Sequence, residues 1–205
     1  VYLGSTGSGK SVTAVIPTCT FISASKKKRS VFITDPKGEI YSTTSKMFQD
    51  RGYKILTIDF RHPELSNKIN ILEPIIIEYE EYMNYEKQSI EEKNKDKKLE
   101  YNNLAMSSLA ETNRLISSLT TMVMQEKQEQ KDPFWNESAK NLLEGIIGFF
   151  LEEYKLGNIT REKITMTSIR KFQNSTMEVQ NSKKFKDYIN KRPYGSKSKD
   201  ALVSI

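Results

Sequence analysis

Residues 4–11, GSTGSGKS, space glycines, a lysine and a hydroxyl as a phosphate-binding loop requires, G-x-x-x-x-G-K-[ST]. Gly4, Gly7 and Gly9 leave room for backbone N–H groups to close on phosphate oxygens, and Ser5, Thr6 and Ser8 complete the loop. Lys10 is the candidate catalytic residue, reaching the β- and γ-phosphates of ATP, and the Ser11 hydroxyl is placed to hold Mg²⁺. A helix beginning here would turn its positive end to the same anion. The competing reading is a Gly/Ser turn that matches by chance. Apolar Val1, Tyr2 and Leu3 before the loop and a helical pattern after it supply the strand–loop–helix context that the motif needs.

A second constellation is VFITDPKGE, residues 31–39. An apolar run ending in Asp35 looks like the strand end that holds Mg²⁺ in P-loop ATPases. Pro36, Lys37 and Gly38 follow where a second acid would be expected, and the run comes only about 20 residues after the loop. Two readings stay open. Asp35, Lys37 and Glu39 could line a nucleotide or subunit interface at a strand's C-terminal end. Alternatively, Asp35 and Pro36 shape a turn, Gly38 relieves its strain, and Glu39 suits the first turn of the next helix.

The elements that must position these residues alternate in the first third of the chain. Residues 1–3 read as the end of a strand and 9–24 as a helix, which Pro17 should kink or stop early. Residues 26–29 form a basic loop. Residues 31–34 and 54–59 read as strands, separated by a helix over 39–51 that Gly52 terminates. RHPELSN at 61–67 has turn chemistry. Right-handed crossovers would make this a doubly wound α/β fold with a parallel P-loop sheet.

After Pro74 no convincing strand follows. Residues 78–101 mix Glu and Lys, with Tyr79, Tyr82 and Tyr85 at helical spacing, and read as a long exposed helix or a partly disordered insertion. Residues 103–128 carry Leu104, Leu109, Leu115, Ile116, Leu119, Met122 and Val123 on one helical face. Residues 134–156 give the strongest pattern, with Trp135, Ala139, Leu142, Leu143, Ile146, Ile147, Phe150 and Tyr154 spaced for burial. Asp132 and Pro133 start that helix and Gly157 ends it. Trp135 is expected as a core anchor rather than a base-stacking platform. One or two weaker helices fall within 165–189. The expected domains are thus residues 1–74, part of a nucleotide-binding domain, and 75–205, an all-α domain.

Composition narrows the classes further. Of 205 residues, 37% are hydrophobic and 28% charged, too apolar for a wholly disordered chain. Cys19 is the only cysteine, which excludes a disulfide framework and a cysteine metal site. It reads as a small core residue, and His62, the only histidine, as structural. No apolar run approaches the roughly 18–20 residues that span a bilayer. The net charge is +6, and from Thr160 onward eleven Lys/Arg face four Asp/Glu. Such a stretch could meet nucleic acid or an acidic partner, or simply be solvated. The chain begins inside its first expected strand and reads as a piece of a longer protein.

GSTGSGKS, Pro17, DPKGE at 35–39, RGYKILTID, NILEP at 70–74 and DPFWNESAKNLLEGII at 132–147, in that order, resemble the type IV secretion coupling proteins. These are the conjugative DNA-transfer ATPases of the TraG/TraD type. The resemblance covers nearly the whole chain; NILEP departs from the family's Asn-Pro-Leu. It implies a RecA-like motor domain interrupted by an all-α domain, and a homo-hexamer at the cytoplasmic face of the bacterial plasma membrane. The membrane anchor would lie outside this chain. The implied partners are relaxase, single-stranded DNA and the proteins of the secretion channel. In that family the metal-holding Asp and water-activating Glu follow the all-α domain. They are absent here, so this piece alone is expected to hydrolyse little or no ATP. Two alternatives stand beside it. One is a relaxase- or cargo-recognition module in which nucleotide is regulatory. The other is a DNA translocase of the FtsK/HerA kind, against which DPKGE and the helical insertion argue.

Overall fold

The computed structural model describes residues 9–124, 133–179, 182–193 and 196–202. The chain divides into two compact units, Val1–Lys68 and Ile69–Ile205. The expected strand at residues 1–3 lies outside the described residues, as do Gly4, Ser5, Thr6, Gly7, Ser8, Asp132 and residues 125–128.

In the first unit a wide π-helical turn, Ser11–Val15, runs into α1 (Ile16–Ala24). Proline explains the turn. Pro17 has no N–H to donate and its ring would crowd the carbonyl four residues back. The chain answers by widening the preceding turn, so that the Ile16 N–H donates to the Ser11 carbonyl five residues away. The kink expected at Pro17 takes this form. Helix α2 (Glu39–Asp50) buries Ile40, Thr44 and Phe48, one per turn. Ile40 and Phe48 share a small core with Cys19, against which Val15, Met47, Tyr53 and Ile55 pack. Phe48 and Tyr53 meet edge to face at 5.0 Å. Gly52, with φ +79°, turns the chain out of α2.

The parallel sheet expected from the sequence is not formed among the described residues. Among the described residues there is no strand, and every regular element is a helix. Residues 31–34 and 54–59 enter no ladder. Phe32 and Phe60 are 90% and 91% exposed, and Val31, Ile33, Leu56 and Ile58 also face solvent. The physical reason is that β-branched and aromatic composition expresses fitness for a half-buried pleated surface, not an intrinsic backbone preference. With no partner strand among the described residues, that composition does not by itself build a ladder.

The second unit contains α3 (Glu73–Glu91), α4 (Lys95–Met124), α5 (Pro133–Lys155), α6 (Met166–Val179), α7 (Lys183–Asn190) and α8 (Lys197–Leu202). The single helix considered for 78–101 is broken at residues 92–94 by side-chain capping. The Glu92 carboxylate accepts the Lys93 and Asn94 N–H groups at 2.8 and 2.9 Å. Asn94 Oδ1 then caps α4, accepting from Asp96 and Lys97 at 3.0 and 3.2 Å. Helices α3 and α4 form a hairpin, with Ala105, Ser108, Thr112, Ile116 and Thr120 of α4 buried. Leu104, Met122 and Val123, expected on that buried face, are instead exposed.

Ile75, Ile76 and Tyr79 of α3, Ile116 of α4 and Ile146, Ile147 and Leu151 of α5 make the main core. Burial pushes the Tyr79 phenol far above its usual pKa range. Phe149 and Phe150 extend the core into an aromatic cluster with Phe172 of α6 and Phe185 of α7. Trp135 does not anchor this core. It is 66% exposed, Ala139 one turn on is exposed too, and α5 becomes buried only from Leu143.

Charged groups close the unit. Arg161 donates to Glu73 at 2.8 Å and to Glu80 at 2.9 Å, and the Tyr154 hydroxyl joins Glu80 at 2.8 Å. Asn70 of the NILEP segment donates to the Ile164 carbonyl at 2.7 Å while its own Oδ1 accepts the Leu72 N–H. This ties the start of α3 to the start of α6.

Candidate functional site

Of the phosphate-loop residues, Gly9, Lys10 and Ser11 are described. Gly9 has φ +77°, a left-handed conformation that side chains with a Cβ rarely adopt. Its carbonyl accepts the Val12 and Thr13 N–H groups at 3.0 and 2.9 Å, and also the Thr13 hydroxyl at 2.9 Å. One glycine carbonyl therefore starts the helical run. Lys10 and Ser11 occupy its first positions, both half-buried. A lysine and a hydroxyl thus stand at a helix start, directly after a left-handed glycine.

Residues 35–39 form the second candidate. Asp35 Oδ2 accepts the Tyr41 N–H at 2.9 Å, and the Gly38 N–H donates to the Asp35 carbonyl at 3.3 Å. Gly38 has φ +76° with no atom within 4 Å of an added Cβ, so the backbone conformation itself calls for glycine there. Glu39 is exposed at the first position of α2. Asp35 and Glu39 are thus brought together by the entrance to one helix. The geometry favours the turn-shaping reading for Asp35, whose carboxylate fills one of the vacant hydrogen-bonding places at the N-terminus of α2.

A neighbouring loop holds this turn. The Arg61 guanidinium donates to the Pro36 carbonyl. Arg61 is itself fixed by Asp59, whose Oδ1 accepts the Arg61 and His62 N–H groups at 2.8 and 3.1 Å. Those backbone donors hold the Asp59 carboxyl below the usual carboxylate range. Ser66 and Asn67 fold the loop back on Thr57. Asn67 Oδ1 accepts the Thr57 N–H at 2.8 Å, and the Asn67 N–H returns to the Thr57 carbonyl at 2.8 Å. The turn chemistry of RHPELSN was legible in the sequence, whereas the reach of Arg61 to Pro36 was not.

Among the described residues no cluster of three or more His, Cys, Asp or Glu could hold a metal ion. No helix among them is long and apolar enough to cross a membrane. His62 stands 3.4 Å from Glu64 in an exposed loop, and Cys19 is buried in the small core, where burial raises its thiol pKa. A cavity of about 390 Å³ in the second unit is lined by residues that include Phe150, Asn158, Thr160 and Lys163. None of these was singled out as a site residue by motif.

The model of the family described as Type IV secretory system Conjugative DNA transfer matches residues 1–201. No curated protein and no solved structure matches the chain.

Proposed function

Because this chain belongs to the type IV secretory system family of conjugative DNA transfer, we propose that it binds ATP through residues 4–11, as part of a coupling ATPase. In that role it would help bring relaxase-bound single-stranded DNA to the secretion channel. The observation that carries the reading is the left-handed Gly9 followed directly by Lys10 and Ser11 at a helix start. The Lys10 ammonium would hold β- and γ-phosphate oxygens, and the peptide N–H groups of residues 4–9 would surround the rest.

Mg²⁺ fits this donor set. It binds few protein oxygens, keeps several waters and takes its remaining ligands from phosphate, so the Ser11 hydroxyl can serve as its one protein ligand here. When bound, the ion neutralises charge on the phosphate oxygens. Asp35 is not offered as a second ligand, because its bond to the Tyr41 N–H ties the side chain to the start of α2. A hexameric ring at the cytoplasmic face of the plasma membrane and contact with channel proteins belong to the same proposal and are supported by the family alone.

The test is equilibrium binding of a fluorescent ATP analogue with Mg²⁺ to the parent and to Lys10→Ala. Charge-assisted hydrogen bonds are worth about 1.5–3 kcal/mol each, so the variant should bind roughly tenfold to a hundredfold more weakly. Equal affinity would remove the nucleotide assignment.

A further inference from the structure

The wide turn Ser11–Val15 changes which way the start of its helix faces. Helix α1 packs through Cys19 and Ser23, and Val15 rests on the same small core as Cys19. At about 100° per residue, an unbroken α-helix would carry that packed face back through residue 12. Val12 would lie at its centre and Ser11 about 100° to one side. The structure has the opposite order. Val12 is 69% exposed, although it is the apolar residue of the two, and Ser11 is half-buried.

One extra residue in the turn accounts for this. The Ile16 N–H reaches the Ser11 carbonyl, five residues back, where an α-helix would use the Val12 carbonyl. Every position before the turn is shifted by one residue against α1. Ser11 therefore stands where Val12 would have stood, and Lys10 moves with it.

Threonine hydroxyls brace both sides of the turn. Thr13 donates to the Gly9 carbonyl at 2.9 Å, Thr18 to the Ala14 carbonyl at 2.7 Å and Thr20 to the Ile16 carbonyl at 3.0 Å. Hydroxyl bonds to the carbonyl four residues earlier help a helix to bend. Pro17 itself is exposed. Its effect comes from the missing N–H and the ring, not from buried contacts.

We infer, resting on the ATP reading of residues 4–11, that Pro17 is a positioning residue for the nucleotide site: by widening the turn before it, it sets the angle at which Lys10 and Ser11 leave the packed helix. Pro17 touches no ligand and acts through the backbone alone. Binding groups must keep within about 10–20° of their productive orientation. A rotation of about 100° would carry the Ser11 hydroxyl away from Mg²⁺ and the Lys10 stem away from the phosphates. The bond from the Ile16 N–H to the Ser11 carbonyl is the hinge of this relationship, since it joins the residue before the proline to the proposed metal ligand.

The experiment titrates a fluorescent ATP analogue into the whole chain, with Mg²⁺ and again with EDTA, and records melting temperatures alongside. The variants are Pro17→Ala, Ser11→Ala, the two combined, and Lys10→Ala. Pro17→Ala should melt at or above the parent's temperature, because alanine restores a donor inside a helix. With Mg²⁺ it should nevertheless bind at least roughly tenfold more weakly, the equivalent of one charge-assisted contact. It should also lose the affinity that Mg²⁺ adds in the parent. In the Ser11→Ala background the same proline change should cost less, since the contact it misplaces is already gone. A residue with only a structural role would not give higher stability together with weaker, Mg²⁺-indifferent binding. The inference falls if Pro17→Ala binds as the parent does with the same response to Mg²⁺, or if affinity drops only in step with melting temperature. Where the parent binds and Lys10→Ala does not, either result leaves the ATP reading standing. A parent that binds no analogue overturns both. Should Pro17→Ala fail to match the parent's helical circular dichroism, Pro17→Gln restores the same donor at this exposed position and gives the same readout.

Discussion

Gly145 of α5 lies directly beneath Ala201 of α8, so close that a Cβ added to the glycine would overlap the alanine Cβ. One turn on, a Cβ at Gly148 would approach the Lys197 Cβ to 3.1 Å. Two competing terms decide the effect of Gly145→Ala. Alanine gains up to about 1 kcal/mol of helix propensity over glycine. Overpacking against α8 costs about 1–3 kcal/mol. The overlap is with an alanine Cβ that cannot swing away, so the variant should be less stable and the amides of α8 exchange faster with solvent. An increase in stability with α8 still protected would contradict the packing.

Arg192 is the most buried of the ion-paired cations among the described residues of the second unit, with its side chain 8% exposed. It pairs with Glu153, lies 3.7 Å from Glu152 at Nε, donates to the Tyr188 hydroxyl at 3.2 Å and sits 5.7 Å from the Phe149 ring centre. Replacing it with Met would strand the buried Glu153 carboxylate, and breaking a buried pair in this way costs about 3–5 kcal/mol. Arg192→Met should therefore unfold at markedly lower urea. Adding Glu153→Gln should recover part of the loss, because the stranded charge is gone.

Acid should loosen the α5–α8 contact through Glu144. Burial disfavours its ionised form, but Lys197 at 2.9 Å and the hydroxyls of Ser117 and Thr120 outweigh that and bring its pKa below 4.5. A carboxyl depressed in the folded state stabilises above its unfolded pKa and loses that contribution as pH falls through the folded value. Between the parent and Glu144→Gln, the stability difference should be constant near neutrality and shrink as pH drops below 4.5. A difference independent of pH over that window would contradict the assignment.

Asp35 should matter first as a helix cap. Asp35→Ala removes the acceptor for the Tyr41 N–H, and lost caps cost about 1 kcal/mol. Asp35→Asn keeps an oxygen in place and should restore most of that stability. If instead Asn preserves the melting temperature while abolishing ATP binding, Asp35 contacts nucleotide and the interface reading returns.

What could be read from sequence depended on how local each signal was. The helix start close after Gly9 followed from the motif, and the terminator at Gly52 from its place after a helical pattern, because both need only neighbouring residues. The period of α5 was legible from Leu142 onward. It could not reveal that Trp135 and Ala139 lie beyond the buried stretch, since periodicity gives a face and not the length over which that face is covered. Ile116 of α4 was legible by its period, but the polar part of that buried face was invisible for another reason. Ser108, Thr112 and Thr120 carry no apolar signal, yet Thr112 satisfies its hydroxyl on the Ser108 carbonyl at 2.8 Å and is 1% exposed. Arg161 meets Glu73 across 88 residues of chain, a distance that no window can see. The sheet is where composition misled most. Residues 31–34 and 54–59 have strand chemistry, but ladders need partners, and among the described residues they find none.

The hidden serine–threonine face of α4 shapes which mutations the hairpin can absorb. A hydroxyl that is satisfied within its own helix, as in Thr112, asks nothing of α3 except space. Such a face has little preference for polarity and a strict preference for volume. Over many generations, positions 108 and 112 can exchange polar for apolar residues no larger than those present with little consequence, while one added branch pushes the two helices apart; Thr120 is held to its hydroxyl by the bond to Glu144. The hairpin's tolerance is therefore written as a size limit, and a lineage drifting under it would change its letters while keeping its spacing.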